Sequence, residues 1–104
     1  MLIAEMTWSA NYDVVLFLRT ELELGLTFAL IAAHASNREK FQRNRSNARR
    51  AYDTARRFLR RVALSDDEHA EFHEMLDELE RRLRVLESVD AHAPTVELNF
   101  TARF

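Results

Sequence analysis

Cysteine is absent from this chain, and glycine and proline occur once each. Without cysteine there is no disulfide framework, no thiol nucleophile and no thiolate metal site, which fits a reducing compartment. One glycine and one proline in 104 residues leave few positions for the tight turns of a many-stranded β fold. Long apolar runs are missing too. The longest uncharged internal run, Leu24 to Asn37, is too short to span a bilayer. The first basic residue is Arg19, and Glu5 and Asp13 interrupt the segment before it, so no secretory leader is expected. These absences lead to the expectation of a cytoplasmic, all-α protein with no membrane partner.

What is present supports one domain. Hydrophobic residues make up 47% of the chain, enough for a single core. Val14, Leu18, Leu22, Leu26, Ala29 and Ala33 form an apolar stripe, widened by Leu24, Phe28 and Ile31. Phe41, Ala48, Ala51, Tyr52, Ala55, Phe58, Leu59 and Val62 form a second, and Phe72, Leu76, Leu79, Leu83 and Leu86 a third. Ser36 with Glu39, and Ser65 with Glu68, have the spacing of capping boxes. The pattern predicts helices at about 11–35, 38–62 and 66–88, with Thr20 as an alternative start for the first. Short connections between them make an antiparallel three-helix bundle over 11–88, after an N-terminal segment at 1–10.

Residues 89–104 read as a linker and an extended tail. In "TVELNFTARF", Val96, Leu98, Phe100 and Phe104 fall on alternate positions, a period that suits a strand. These four are candidate contacts for a groove or for a partner's sheet edge. The alternation is also that of a closing outer-membrane strand, but no companion strands accompany it.

Leu24-Gly25-x-x-Phe28 resembles the first-helix signature of the tetratricopeptide repeat, and Ala48-x-x-x-Tyr52-x-x-Ala55 resembles its second. Tyr52-x-x-Ala55-x-x-x-Leu59 is similar to the second helix of MIT domains. The stretch from Gly25 to Ala48 is about three helical turns longer than the repeat's own hairpin. No second repeat is visible. The resemblance implies a lengthened helical hairpin closed by a third helix, with Gly25, Phe28, Ala48, Tyr52 and Ala55 at the packing surface. It also implies binding to other proteins. In general style the chain is similar to short bacterial helical proteins.

Chemistry-bearing constellations are sparse. His69 and His73 stand four residues apart, but in "HAEFH" the Glu occupies the third position rather than the zincin's second. Two exposed histidines on an acidic helix are the simpler reading, so no metal or other cofactor is expected. Asp66, Asp67, Glu68, Glu71 and Glu74 gather at a helix start, where the macrodipole favours them. No catalytic residues are expected, and no enzyme.

Charge is distributed unevenly within a net −2. Residues 38–61 carry ten basic and two acidic side chains, whereas 65–88 carry nine acidic and three basic. Neighbouring helices of opposite sign answer each other, with the C-terminal arginines of the second helix set against the acidic start of the third. The exception is Arg43, Arg45, Asn47, Arg49 and Arg50, a candidate basic contact patch. Arginine's planar fork suits phosphate or carboxylate. The leading expectation is a non-enzymatic protein-interaction module that binds another protein or itself, and the alternative is RNA or DNA binding through the second helix.

Overall fold

The computed structural model describes residues 2–90, which form three helices: α1 (Leu2–Ala33), α2 (Arg38–Leu59) and α3 (Asp66–Asp90). There is no strand among the described residues. They pack as an up-down-up bundle, so α1 and α3 run parallel with α2 antiparallel to both. The C-terminal tail residues Val96, Leu98, Phe100 and Phe104 lie outside the described residues.

Several boundaries differ from the sequence expectation for physical reasons. α1 starts at Leu2 rather than near Asn11 or Thr20, because no glycine or proline interrupts the pattern before Gly25. It ends at Ala33, where His34 N donates to the carbonyls of both Leu30 and Ile31 and Ala35 N donates to that of Ala32. This tightened last turn leaves Ala35 buried just outside the helix. α2 is capped by Asn37 rather than Ser36: the Asn37 side-chain oxygen accepts from Lys40 N at 2.8 Å. It closes at Leu59 rather than Val62, and α3 reaches Asp90 rather than residue 88.

At the start of α3 the capping box forms as the spacing requires. Glu68 N donates to Ser65 Oγ at 3.1 Å, and Ser65 N donates to Glu68 Oε1 at 3.0 Å. Ser65→Ala leaves one of these N–H groups without its partner. The expected cost is about 1 kcal/mol, lowering the thermal midpoint by roughly 4–8 °C in a circular-dichroism melt.

The three inward seams share one rhythm. Buried positions fall at Val15, Leu18, Leu22, Gly25, Ala29 and Ala32 on α1, and at Phe41, Asn44, Ala48, Ala51 and Ala55 on α2. On α3 they fall at Phe72, Leu76, Leu79, Leu83 and Leu86. Alternating steps of three and four are the signature of left-handed supercoiled packing. The α1 seam therefore runs through Val15, Gly25 and Ala32. Of the expected Val14, Leu26 and Ala33, the first two are half-buried and Ala33 is exposed. Residue size separates Gly25 from Leu26, since glycine lets the helix axes approach where leucine would hold them apart, and Val15 and Ala32 follow from the three-and-four register that includes Gly25.

Gly25 marks the tightest point. A Cβ placed there would stand 2.7 Å from Leu79 Cδ2 and 3.1 Å from Ala51 Cβ, so all three helices meet at this level. Ala48, Tyr52 and Ala55 are buried in the core, and Phe28 is half-buried against it. Asn44 is the one polar residue buried in a seam among the described residues. Its amide donates to Lys40 O at 2.8 Å, one turn back on the same helix.

Candidate interaction surfaces

α1 is apolar around much of its circumference, and two partner helices cannot cover all of it. Tyr12, Leu16, Phe17, Leu24 and Leu30 are 58%, 51%, 40%, 42% and 50% exposed. They lie on the side of α1 turned away from the core. Thr20 and Thr27 sit among them, and their hydroxyls donate back to Leu16 O and Glu23 O, each at 3.0 Å. With those hydroxyls occupied, the exposed carboxylates of Asp13 and Glu23 are the charged groups on this side of α1. The sequence patterns named this helix as widely apolar. They did not separate covered residues from uncovered ones.

Charged edges flank the stripe. On the α2 side, Arg50 and Asn47 line a groove with Leu24, Phe28 and Glu21. On the α3 side, Glu71, Glu74 and Glu78 line another with Leu26, Met75 and Arg81. Arg19 crosses from α1 to Glu71 at 2.7 Å, and its guanidinium lies 5.2 Å from the Phe72 ring centre. Phe17 meets Phe58 of α2 edge-on at 5.2 Å.

The candidate basic patch is divided between two faces. Arg45, Arg49, Arg50 and Arg57 border an open groove of about 510 Å³, together with Asp53 and Glu87. Arg49 engages both acids, at 3.6 Å to Asp53 and 3.4 Å to Glu87. Arg43 pairs with Glu39 at 3.7 Å, and Arg45 lies 5.9 Å from the Phe41 ring centre. Asn47 faces the α1 groove instead, and Arg50 lines both. Arg57, Arg60 and Arg61 form no ion pair among the described residues, so the acidic start of α3 does not hold them as expected. Along α3, Glu78 receives both Arg81 (2.7 Å) and Arg82 (3.0 Å). Those two donors hold the Glu78 carboxyl below its ordinary value, the Arg81 hydrogen bond contributing most.

Tyr52 ties α2 to α3. Its hydroxyl donates to Glu80 Oε2 at 2.9 Å, while Arg84 donates to Glu80 Oε1 at 3.1 Å. The guanidiniums of Arg49 and Arg56 lie 5.4 and 5.7 Å from the Tyr52 ring centre. Burial, and then the bond to the Glu80 carboxylate, push the phenol above its usual 10.0, against the opposing charges of Arg56 and Arg49. A phenol with a raised folded-state value favours the fold below its unfolded value, and that contribution is lost as pH climbs through the folded one. Stability is therefore expected to fall as pH rises above 10.0, and Tyr52→Phe to remove that component. Denaturant midpoints on either side of that pH check it.

His69 and His73 are exposed, with ring centres 4.2 Å apart. Among the described residues no three His, Asp or Glu side chains come together to hold a metal ion, and no helix is long and apolar enough to cross a membrane.

Compared with known proteins, the chain matches no family model, no curated protein and no solved structure.

Proposed function

We propose that this chain is a small helical interaction module of adaptor or scaffold type, acting by binding rather than catalysis, and that it engages protein through the outer face of α1. The observation that carries this reading is the group of exposed apolar side chains Tyr12, Leu16, Phe17, Leu24 and Leu30 on the outer side of α1, interspersed with the exposed Asp13 and Glu23. A face of this kind is a mark of protein–protein contact. Its likeness to a lengthened tetratricopeptide or MIT hairpin points the same way. Site-specific photocrosslinking tests the reading directly. A photoreactive residue at position 16 or 24 is expected to crosslink to protein in native lysate with or without nuclease, whereas one at Ser46 on the outside of α2 is not. Crosslinks confined to position 46, or abolished by nuclease, overturn it.

The groove bordered by Arg45, Arg49, Arg50 and Arg57 favours a second reading, RNA or DNA binding. Arginine forks meeting phosphates give affinity that falls steeply with salt. Arg45→Glu with Arg49→Glu would then weaken binding and flatten its salt dependence. Absence of binding at low salt rejects this reading.

A further inference from the structure

The apolar surface of α1 continues onto α3 toward the end of the bundle where α3 stops. Leu26 lines the groove between the two helices with Met75, Glu78 and Arg81. One turn on from Leu26 stands Leu30; one turn on from Arg81 stands Val85, and one turn further Val89. Leu30 is five residues beyond Gly25 and Val85 six beyond Leu79. Because Gly25 meets Leu79, Leu30 and Val85 share one level of the groove. Val85 is 62% exposed and Val89 36%, so with Leu30 they leave the upper groove apolar and open. The lower groove is acidic. Glu71 is held there by Arg19 and Glu78 by Arg81 and Arg82, whereas Glu74 forms no ion pair among the described residues. Glu23, exposed on α1, adds a carboxylate three residues before Leu26.

We propose that this groove is covered by residues 95–104 of the same chain, laid along it as an extended segment antiparallel to α3. The contact is internal and requires no partner on α1. Its starting point selects this occupant: α3 ends at Asp90, one residue after Val89, so the chain leaves the helix at the mouth of the apolar groove. Pro94 does not continue a helix and biases Ala93 toward extended backbone. Residues 91–94 reach up to about 13 Å, enough to turn over the end of a helix roughly 10 Å wide.

Length and pattern agree with that start. An extended residue advances about 3.3 Å and a helical one 1.5 Å, so each residue of the segment passes roughly two of α3. From the level of Val89, Val96 comes against Val89 and Val85, Leu98 against Leu30, and Phe100 against Leu26 and Met75. Arg103 then arrives beside Glu74, where the groove has turned acidic. The intervening Glu97, Asn99 and Thr101 face water. A short tether gives the segment an effective concentration on the order of millimolar, so contacts too weak to hold a free peptide hold this one. Phe17 and Leu24 stay open, because they lie on the α2 side of α1.

Paramagnetic broadening in the full chain tests this placement. A nitroxide on Asn99→Cys, in a chain with no other cysteine, is expected to broaden the amide signals of Leu26, Leu30, Val85 and Val89. Ser46 and Asp53, on the outside of α2, are expected to change far less. In an equal mixture of isotope-labelled chain without nitroxide and unlabelled chain carrying it, no broadening is expected. Leu98→Asp with Phe100→Asp is expected to abolish the broadening and lower the thermal midpoint. Both positions lie beyond the last helix, and circular dichroism checks that the helical signal is kept. Leu30→Glu with Val85→Glu, both exposed, is expected to do the same from the groove side. Absence of broadening in the single chain, or broadening that survives the aspartate pair, overturns the proposal. Broadening seen only in the mixture also overturns it and assigns the groove to another copy's segment. Photocrosslinks from position 24 to a partner bear on the α1 reading alone.

Discussion

Gly25→Val is expected to cost about 3 kcal/mol or more and to remove the cooperative thermal transition. The first atom of any side chain at this position falls 2.7 Å from Leu79 Cδ2 and 3.1 Å from Ala51 Cβ. Leu79 is fully buried, so its methyl has little room to retreat, and the Ala51 Cβ moves only if the α2 backbone moves. Valine adds two further methyls and a β-branch, and thereby drives α1 away from both neighbours at once. Gly25→Ala separates the competing effects. Replacing a mid-helix glycine favours the helix by about 0.5–1 kcal/mol, while overpacking of a tight core costs about 1–3 kcal/mol. Alanine is therefore expected to be mildly destabilising and still cooperative. A valine variant that melts like the wild type would show that the three helices are not held together at this level.

Phe72→Ala ranks second, with an expected loss of about 3–5 kcal/mol and a midpoint lower by on the order of 20 °C. Phe72 has no exposed surface and is among the largest fully buried side chains. Its removal leaves a cavity at the foot of the α3 seam. It also takes away the ring beneath the Arg19 guanidinium, an interaction of about 0.5–1 kcal/mol at a partly exposed site. The adjacent Arg19–Glu71 pair is a weak substitute, because both side chains are substantially exposed and such pairs contribute about 0–1 kcal/mol. A domain of this length has roughly 5–10 kcal/mol in total, so the variant is expected to be partly unfolded at moderate temperature. Chemical denaturation at low temperature measures the loss even then. A change under about 1 kcal/mol would mean that the neighbouring helices collapse to fill the space.

Much of this architecture was legible in advance, and the reasons can be traced to particular residues. Ser65 and Glu68 announced the start of α3 because a capping box is local: two side chains and two backbone groups within four residues decide it. The leucines of α3 announced their seam because only one face of that helix is apolar. α1 was harder to read. An apolar residue occurs in nearly every direction around it, so periodicity pointed to Val14 and Leu26 where the packing uses Val15 and Gly25. Contact with Ala51 and Leu79 made that choice, and those residues are far away in sequence. The candidate surfaces follow the same division. The arginines of α2 were visible as a count. That Arg49 would be held by Asp53 and Glu87 while Arg50 turned toward α1 depends on how three helices are rotated about their axes. Tyr52 was recognisable as a packing residue, but its bond to Glu80 spans 28 positions and leaves no local trace.

The common three-and-four rhythm of the inward seams has a bearing on how such a chain can change length. A single inserted residue turns everything beyond it by about 100° around its helix and presents the wrong side to the core. Seven residues return the helix to nearly the same direction, some 10.5 Å further along. Matching additions of seven in all three helices at one height would lengthen the rod while conserving its cross-section. The bundle is therefore extensible in fixed increments, and the molecule can vary in reach without a redesign of how its helices fit.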